Sequence, residues 1–323
     1  MLRMLQRATR LVAPGARTFS SDTGNSKLVV TEVDDKTGYA TVTLNRPPVN
    51  SLSIDMMMAI LNALDDLQNN KSRGMILTSS SKTVFSAGLD INDLYKPNQE
   101  RLREVWSLLQ DVWLKLYGAP FPTAAVINGH APAGGCLLTI CCEYRVMCPN
   151  FTIGLNETQL GFMAPTWLQA SFRNTISRRE AEEALTVGKM YTTDEALKIG
   201  LVDEVAENKE KGLEQATNFL NRFRKISPMA RAMTKQALRS KDIVELEDNR
   251  SQDIDLFVQT VIQPNVQKTA QLVVLLFYPV ETAPLMMLTL FPVETVLLVV
   301  CYLEPVETVL AFSFPLEMTP LRV

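Results

Sequence analysis

The sequence predicts an α/β fold in which short strands lead into helices and the C-terminal part is helical. Three observations carry this. Leu28 to Asp34 and Tyr39 to Asn45 alternate apolar and polar residues on either side of a Lys36-Thr37-Gly38 turn, the pattern of a β-hairpin. Two later segments, Val84 to Ile91 and Ile127 to Cys136, each pass from an apolar, β-like run through a glycine turn into helical spacing. From Pro165 onward the apolar residues recur at helical intervals. At 323 residues, 46% of them hydrophobic, the chain can bury one large core, or a core with an appendage.

In chain order, residues 1–21 carry Arg3, Arg7, Arg10 and Arg17 and no acid, with Leu2, Leu5, Leu11 and Val12 between them. An Arg-rich, acid-free start without an apolar h-region reads as a mitochondrial transit peptide. Arg17-Thr18-Phe19-Ser20 resembles a matrix-processing site, so residues 1–19 are expected to be removed after Phe19 in the mitochondrial matrix. After the hairpin, Pro47-Pro48 stops the second strand, and Ser53 caps a helix presenting Ile54, Met57, Met58, Leu61, Leu64 and Leu67. Gly74 to Thr78 is a buried strand, and the Ser86 to Asp90 turn follows. Glu100 to Tyr117 is a helix whose Trp106 and Trp113 fall on the core face, and Pro120 and Pro122 end it. Thr123 to Ile127 is a strand. Gly134 opens the next helix, and Tyr144 to Met147 and Thr152 to Gly154 are short strands. Ser177 to Glu180 and Thr192 to Glu195 have the spacing of capping boxes. Leu201 to Val205 is a short strand after Gly200, and helices are expected over Leu213 to Arg224, Met229 to Arg239 and Asp248 to Val261.

Composition narrows the function. A net charge of -3 without a long basic patch gives no nucleic-acid signal. The five cysteines have no paired spacing, which disfavours a disulfide framework or a zinc site and favours buried thiols. A single histidine, His130, excludes a metal site built on two, and it is assigned no chemistry.

Glu157 stands between Gly154 and Gly161 among apolar neighbours, in Ile153-Gly154-Leu155-Asn156-Glu157-Thr158-Gln159-Leu160-Gly161. Alone, that segment reads as a solvated turn or a cap. An apolar setting, however, disfavours the charged carboxylate and brings its pKa toward the range of a proton shuttle. Ser86-Ala87-Gly88-Leu89-Asp90 and Gly129-His130-Ala131-Pro132-Ala133-Gly134-Gly135-Cys136 are turns that can present backbone N–H groups to an oxyanion. Together and in this order, with PPVNSLS, ILTSS, VFSAGLD, NGHAPAGGC and IGLNETQLG, the chain resembles the crotonase superfamily of enoyl-CoA hydratases and isomerases from about Leu28 to about Gln271.

The resemblance implies a spiral of strand-strand-helix units over residues 20–212 and C-terminal helices over 213–271 that form a homotrimer and help enclose CoA. It implies isomerisation of 3-cis or 3-trans-enoyl-CoA to trans-2-enoyl-CoA in the β-oxidation of unsaturated chains. Glu157 would be the catalytic base, and Ala87 and Gly134 the oxyanion hole. Ser86, Ala87, Gly88, Leu89, Asp90, Gly134 and Asn156 would hold the acyl-thioester, and Lys235 is a candidate for CoA phosphates or a solvated helix charge. No metal or redox cofactor is implied, and CoA enters as part of the substrate. Hydratases of this family carry a second glutamate one residue after the cysteine of the Gly-Gly-Cys segment, and here that position is Leu137. The alternatives are a hydratase, another acyl-CoA enzyme of the same fold, or a non-catalytic acyl-CoA-binding protein.

From about Leu272 the chain departs from the family. Pro-Val-Glu-Thr recurs at Pro279, Pro292 and Pro305, each 13 residues after the last. Residues 272–323 are read as a repeat tail without a folded role. Its apolar runs are broken by prolines and glutamates well short of the roughly 20 residues a membrane helix needs, so no integral membrane association is expected.

Overall fold

The computed structural model describes residues 16–19 and 27–277. The predicted leader therefore lies outside the described residues except for Ala16–Phe19, which pair antiparallel with residues 31–34 as an edge strand that cleavage after Phe19 would remove, and the repeat tail lies outside them from residue 278 onward. In chain order the strands and helices begin with β1 (Ala16–Phe19), β2 (Val29–Asp34), β3 (Tyr39–Leu44), α1 (Ile54–Asn69), β4 (Gly74–Ser79), α2 (Ile91–Leu94) and α3 (Gln99–Tyr117). Next come β5 (Thr123–Ile127), β6 (Ala131–Pro132), α4 (Gly134–Cys141), β7 (Tyr144–Met147), β8 (Thr152–Gly154), a 3-10 turn (Glu157–Leu160), α5 (Thr166–Arg173) and α6 (Arg178–Val187). The chain continues through β9 (Met190–Thr192), α7 (Thr193–Lys198), β10 (Glu204–Val205), α8 (Lys209–Asn221), α9 (Pro228–Val261) and α10 (Pro264–Phe277).

The strands form two sheets. The larger runs β1-β2-β3-β4-β5-β7-β10, antiparallel from β1 to β3 and parallel thereafter. The smaller runs β6-β8-β9. In β5-β6-α4 and β7-β8-α5, the first strand joins the large sheet, the second joins the small one, and a helix returns the chain. This is the expected strand-strand-helix spiral.

The parallel strands β4, β5 and β7 are buried along their whole length, as strands covered on both faces must be. Their alternate residues feed two cores. Met75, Leu77, Ala125, Ile127 and Met147 face the large core with α1, α3 and α4, whereas Ile76, Ala124, Val126, Tyr144 and Val146 face a smaller one closed by Ala216 and Leu220 of α8.

The hairpin and most helices lie where the sequence predicts them, and the departures have physical reasons. In α1, Ser53 accepts from the Met56 N–H as its cap, but the buried stripe is Met56, Met57, Ile60, Ala63, Leu64 and Leu67, and Met58 is 48% exposed. The helix is turned by a fraction of a turn from the predicted face, with Met56 and Met57 fully buried in the core in place of Met58. Thr192 and Glu195 form the full reciprocal capping box. Ser177 accepts from Glu180 N, but the Glu180 carboxylate turns away to Tyr191 Oη at 2.8 Å and Lys189 Nζ at 3.3 Å.

Helices expected over Met229 to Arg239 and Asp248 to Val261 are one continuous α9 of 34 residues. Neither Gly nor Pro interrupts it, and polar ties to α3 hold its middle, with Tyr117 Oη donating to Asp242 at 3.2 Å and Arg250 pairing with Asp111 at 2.7 Å. Helix α10 crosses the expected boundary at residue 271 and carries the chain on to Phe277.

Lys235 meets neither expectation. It is 7% exposed and pairs with Glu143 at 3.1 Å, so it is neither solvated nor turned to a ligand. Arg231 pairs with the same carboxylate, and burial lowers the Lys235 pKa to about 8. Cys136, Cys141, Cys142 and Cys148 are buried free thiols, as expected, and Cys301 lies outside the described residues. No helix among the described residues is long and apolar enough to cross a membrane.

Candidate active site

The two glycine turns predicted from sequence lie back to back. Val84 bridges His130, with Phe85 N–H donating to His130 O at 2.9 Å and His130 N–H to Thr83 O at 2.8 Å. Gly88 has φ +84, and a Cβ there would stand 3.0 Å from Gly134 N; a Cβ on Gly134 would stand 3.0 Å from the Gly88 Cα. Only hydrogen at both positions lets the backbones approach this closely.

Ala133, just before α4, has φ +45 and ψ -116, a conformation L-residues rarely adopt and one that costs about 1–3 kcal/mol. Its own N–H is anchored to Gly154 O at 2.9 Å. The strain turns the chain so that Gly134, the first residue of α4, faces the cavity with no backbone acceptor for its N–H among the described residues.

The β6-β8 pairing brings the residues after Gly154 to the same place. There the 3-10 turn begins at Glu157 and closes at Gly161 with φ +89. Thr158 Oγ1 donates to Leu185 O at 3.2 Å and Gln159 Nε2 to Val187 O at 3.3 Å, tying the turn to α6. Glu157 is 5% exposed, and its Oε2 has no hydrogen-bond partner among the described residues. Burial raises its pKa from 4.5 to about 7, against a smaller opposing effect from its own backbone. Asn156 Oδ1 is likewise buried and unpartnered. Two consecutive residues thus each bury an oxygen without a partner among the described residues, the mark of a place that takes a ligand.

Both residues line a cavity of about 600 Å³. Its wall is predominantly apolar, with Leu94, Leu109, Leu137, Leu168 and Trp106 among the lining side chains. Asp90 is the other carboxylate in the lining, but it is committed elsewhere. It caps α2 through Asn92 N–H at 3.2 Å and pairs with Arg46 at 2.8 Å. His130 Nδ1 accepts the Thr152 N–H at 3.1 Å, which requires the neutral tautomer protonated at Nε2, and burial lowers its pKa.

Of the residues predicted to hold the substrate, Ala87, Leu89, Asp90, Gly134 and Asn156 line the cavity with Glu157. Ser86 and Gly88 do not. The Ser86 hydroxyl is fully buried, donating to Asn50 O at 2.8 Å and accepting from Gly88 N at 3.3 Å, so it shapes the turn from behind. The Ala87 N–H, expected to be open for an oxyanion, donates to Val49 O at 3.0 Å.

The sequence did not reveal the wall formed by Val49, Pro165, Thr269 and Val273, nor that Trp106 and Leu109 of α3 face the cavity as well as the core. The spacing of α3 does mark the last two as buried on one face.

A strand-strand-helix spiral whose glycine turns converge on one buried glutamate defines a crotonase-fold protein. Residues 34–274 match the family model described as enoyl-CoA hydratase/isomerase, and the chain belongs to that family. It is 39% identical over 266 residues to mouse (Mus musculus) "Enoyl-CoA delta isomerase 1, mitochondrial", covering 81% of this chain and 90% of that protein. It is 32% identical over 220 residues to a putative enoyl-CoA hydratase of Thermus thermophilus, covering 66% and 85%. Among solved structures, human mitochondrial delta3-delta2-enoyl-CoA isomerase superposes with a TM-score of 0.73 at 38% identity, covering 76% of this chain and 95% of that one. The enoyl-CoA hydratase of Bacillus halodurans follows with 0.68 at 29%, covering 76% and 99%.

Proposed function

We propose that the chain isomerises 3-cis and 3-trans-enoyl-CoA to trans-2-enoyl-CoA in the oxidation of unsaturated fatty acids, with Glu157 as the single base. The observation that carries this is Glu157 itself, a buried carboxylate with an unpartnered oxygen and a pKa of about 7, facing an apolar cavity.

The C2 proton of a 3-enoyl thioester lies between a carbonyl and a double bond, so its removal leaves a conjugated dienolate. Glu157 takes that proton, the electron pair spreads from C2 to C4 and onto the thioester oxygen, and the same carboxyl returns the proton at C4. The double bond then stands between C2 and C3. No electrons leave the substrate, so the chemistry requires no redox cofactor, and CoA is part of the substrate. The Gly134 N–H at the start of α4 supports the oxyanion, a contribution of about 3 kcal/mol for one such donor. The Ala87 N–H joins it once the thioester oxygen replaces Val49 O as its acceptor. Asn156 Oδ1, buried in the same cavity without a partner among the described residues, would accept from an amide N–H of the CoA arm, since the thioester group itself has no donor.

Relatives named isomerase and hydratase share this fold, and Leu137 separates the two readings. It is fully buried in the cavity wall at the position where hydratases of the family carry their second glutamate, and an apolar side chain neither orients nor deprotonates water. The same residue keeps water from the dienolate.

The mitochondrial relatives and the Arg-rich first residues support import to the matrix with residues 1–19 as the leader. Met229, Met233, Leu238, Val244 and Leu256, all exposed on α9, support a homotrimer that covers them.

The test is a spectrophotometric assay of the purified protein with 3-hexenoyl-CoA beside crotonyl-CoA. Isomerisation is expected to exceed hydration by a wide margin, and comparable kcat/KM values for the two would overturn the isomerase reading in favour of the hydratase.

A further inference from the structure

Behind the cavity, three N–H groups converge on one carboxylate oxygen. Asp253 Oδ2, on α9, accepts from Trp106 Nε1 at 2.6 Å, Gln110 Nε2 at 2.8 Å and Trp167 Nε1 at 3.1 Å. The donors stand on α3 and α5, so one side chain ties three helices together. Bonds to an ionised acceptor are the short, strong ones.

The Trp106 ring is fixed on its faces as well. It stacks on Phe257 with centroids 3.7 Å apart and planes 9° apart, and it meets Trp167 at 5.9 Å and 60°. Trp167 in turn packs on Trp113 at 5.4 Å, whose Nε1 donates to Ser171 Oγ at 2.8 Å.

Trp106 is 3% exposed, yet it lines the cavity. The rest of the lining grades from partly exposed Leu89, Ile91, Leu160 and Phe162 to fully buried Leu109 and Leu168. The indole therefore belongs to the closed end. It cannot swing aside without stranding its own N–H in an apolar core and breaking its stack on Phe257. Asp253 is not in the cavity wall and acts only through the side chains it holds.

We propose that Asp253 is a positioning residue for acyl-chain length: by gathering the three N–H groups it locks Trp106 as the end wall of the acyl cavity. This rests on the reading of the cavity as an acyl-CoA site. An end wall leaves a signature in specificity. Each methylene that finds apolar surface raises kcat/KM by about fourfold, and the rise stops at the length that meets the indole.

The experiment takes the whole chain and its Trp106→Leu, Trp106→Phe and Asp253→Asn variants. It measures kcat/KM on straight-chain 3-enoyl-CoA thioesters from hexenoyl to hexadecenoyl, and Kd for the matching saturated acyl-CoAs. The wild type is expected to rise with length and break at one length. Trp106→Leu moves the break to longer chains. Trp106→Phe, the gentler change should Leu not fold, moves it less. Asp253→Asn keeps the shape but loses the charge, and it blurs the break while kcat on short chains and the pH profile stay as they were.

A break that does not move in the Trp106 variants, or a loss by the same factor at every length, would overturn the proposal, because a merely structural cluster lowers all substrates together. The saturated series separates the two readings. If no 3-enoyl thioester turns over but the Kd break still shifts with Trp106, the isomerase activity falls and the end wall stands.

Discussion

Replacing Glu157 by Gln should abolish turnover and stabilise the protein at neutral pH, and the size of the gain follows from the burial of the carboxyl. Moving a carboxyl from 4.5 to about 7 carries about 3 kcal/mol of unfavourable ionisation in the folded chain, at about 1.4 kcal/mol per pH unit. Between those two values the folded chain keeps the proton and the unfolded chain releases it. Stability supplied by this group is therefore lost as pH rises through the window and is constant on either side. The Gln variant has no such proton. Its stability relative to wild type should climb by about 3 kcal/mol from pH 4.5 to 8, measured by urea unfolding at equal protein concentration. The new amide has its own unpaired donors, which cost about 1–3 kcal/mol at every pH and leave the slope unchanged. In parallel, wild-type kcat/KM should fall tenfold per pH unit below about 7, while the variant keeps acyl-CoA binding and loses nearly all kcat. A stability difference that is flat with pH, an acid limb near 4.5, or a variant retaining most of its kcat would refute the reasoning.

Glu143→Ala strands buried Lys235 and Arg231, and urea unfolding should show a loss of about 3–5 kcal/mol. Ending the chain after Phe277 should preserve isomerase activity, whereas ending it after Gln271 removes Val273 from the cavity wall and half of α10, and kcat/KM should drop about tenfold or more in the same assay. Residues 1–19 fused to a reporter should direct it into mitochondria in a potential-dependent way, and cytosolic retention would remove the transit-peptide reading.

What the sequence made legible was the local chemistry. The hairpin, the Ser53 and Thr192 caps, the two glycine turns and Glu157 are each written in a few adjacent residues. What it hid depends on partners distant in the chain. Ser86 looks like part of a binding loop until Asn50, from the loop between β3 and α1, takes its hydroxyl. Lys235 looks like a surface cation until Glu143, 92 residues away, is placed beside it. The middle of α9 is mostly charged and polar, so periodicity suggests a break. It is held by Leu246, buried in the core with Ile243 packed against it, and by acids and Arg250 that find partners on α3. Trp106 reads correctly as a core residue, and nothing in α3 alone shows that one side of this core is hollow.

That hollow explains why so few polar groups suffice. In a wet cleft Glu157 would ionise near its ordinary pKa and make a poor acceptor for a carbon-bound proton, and any oxyanion donor would compete with water. Burial in the apolar wall of Leu137, Leu109 and Leu168 raises the carboxyl's pKa, and on the proposed mechanism the same exclusion of solvent would strengthen the Gly134 donor. The arrangement destabilises the fold at both ends, through the buried carboxylate and through the left-handed Ala133. Both costs fall where the backbone is tied down: Ala133 is anchored to Gly154, and the Glu157 turn is bonded to α6. On that proposal Leu137 adds to the apolar wall where a carboxylate would draw water in, and water beside the dienolate is what isomerisation must avoid. The leucine is thus, on the same proposal, part of what would let one glutamate serve as the base.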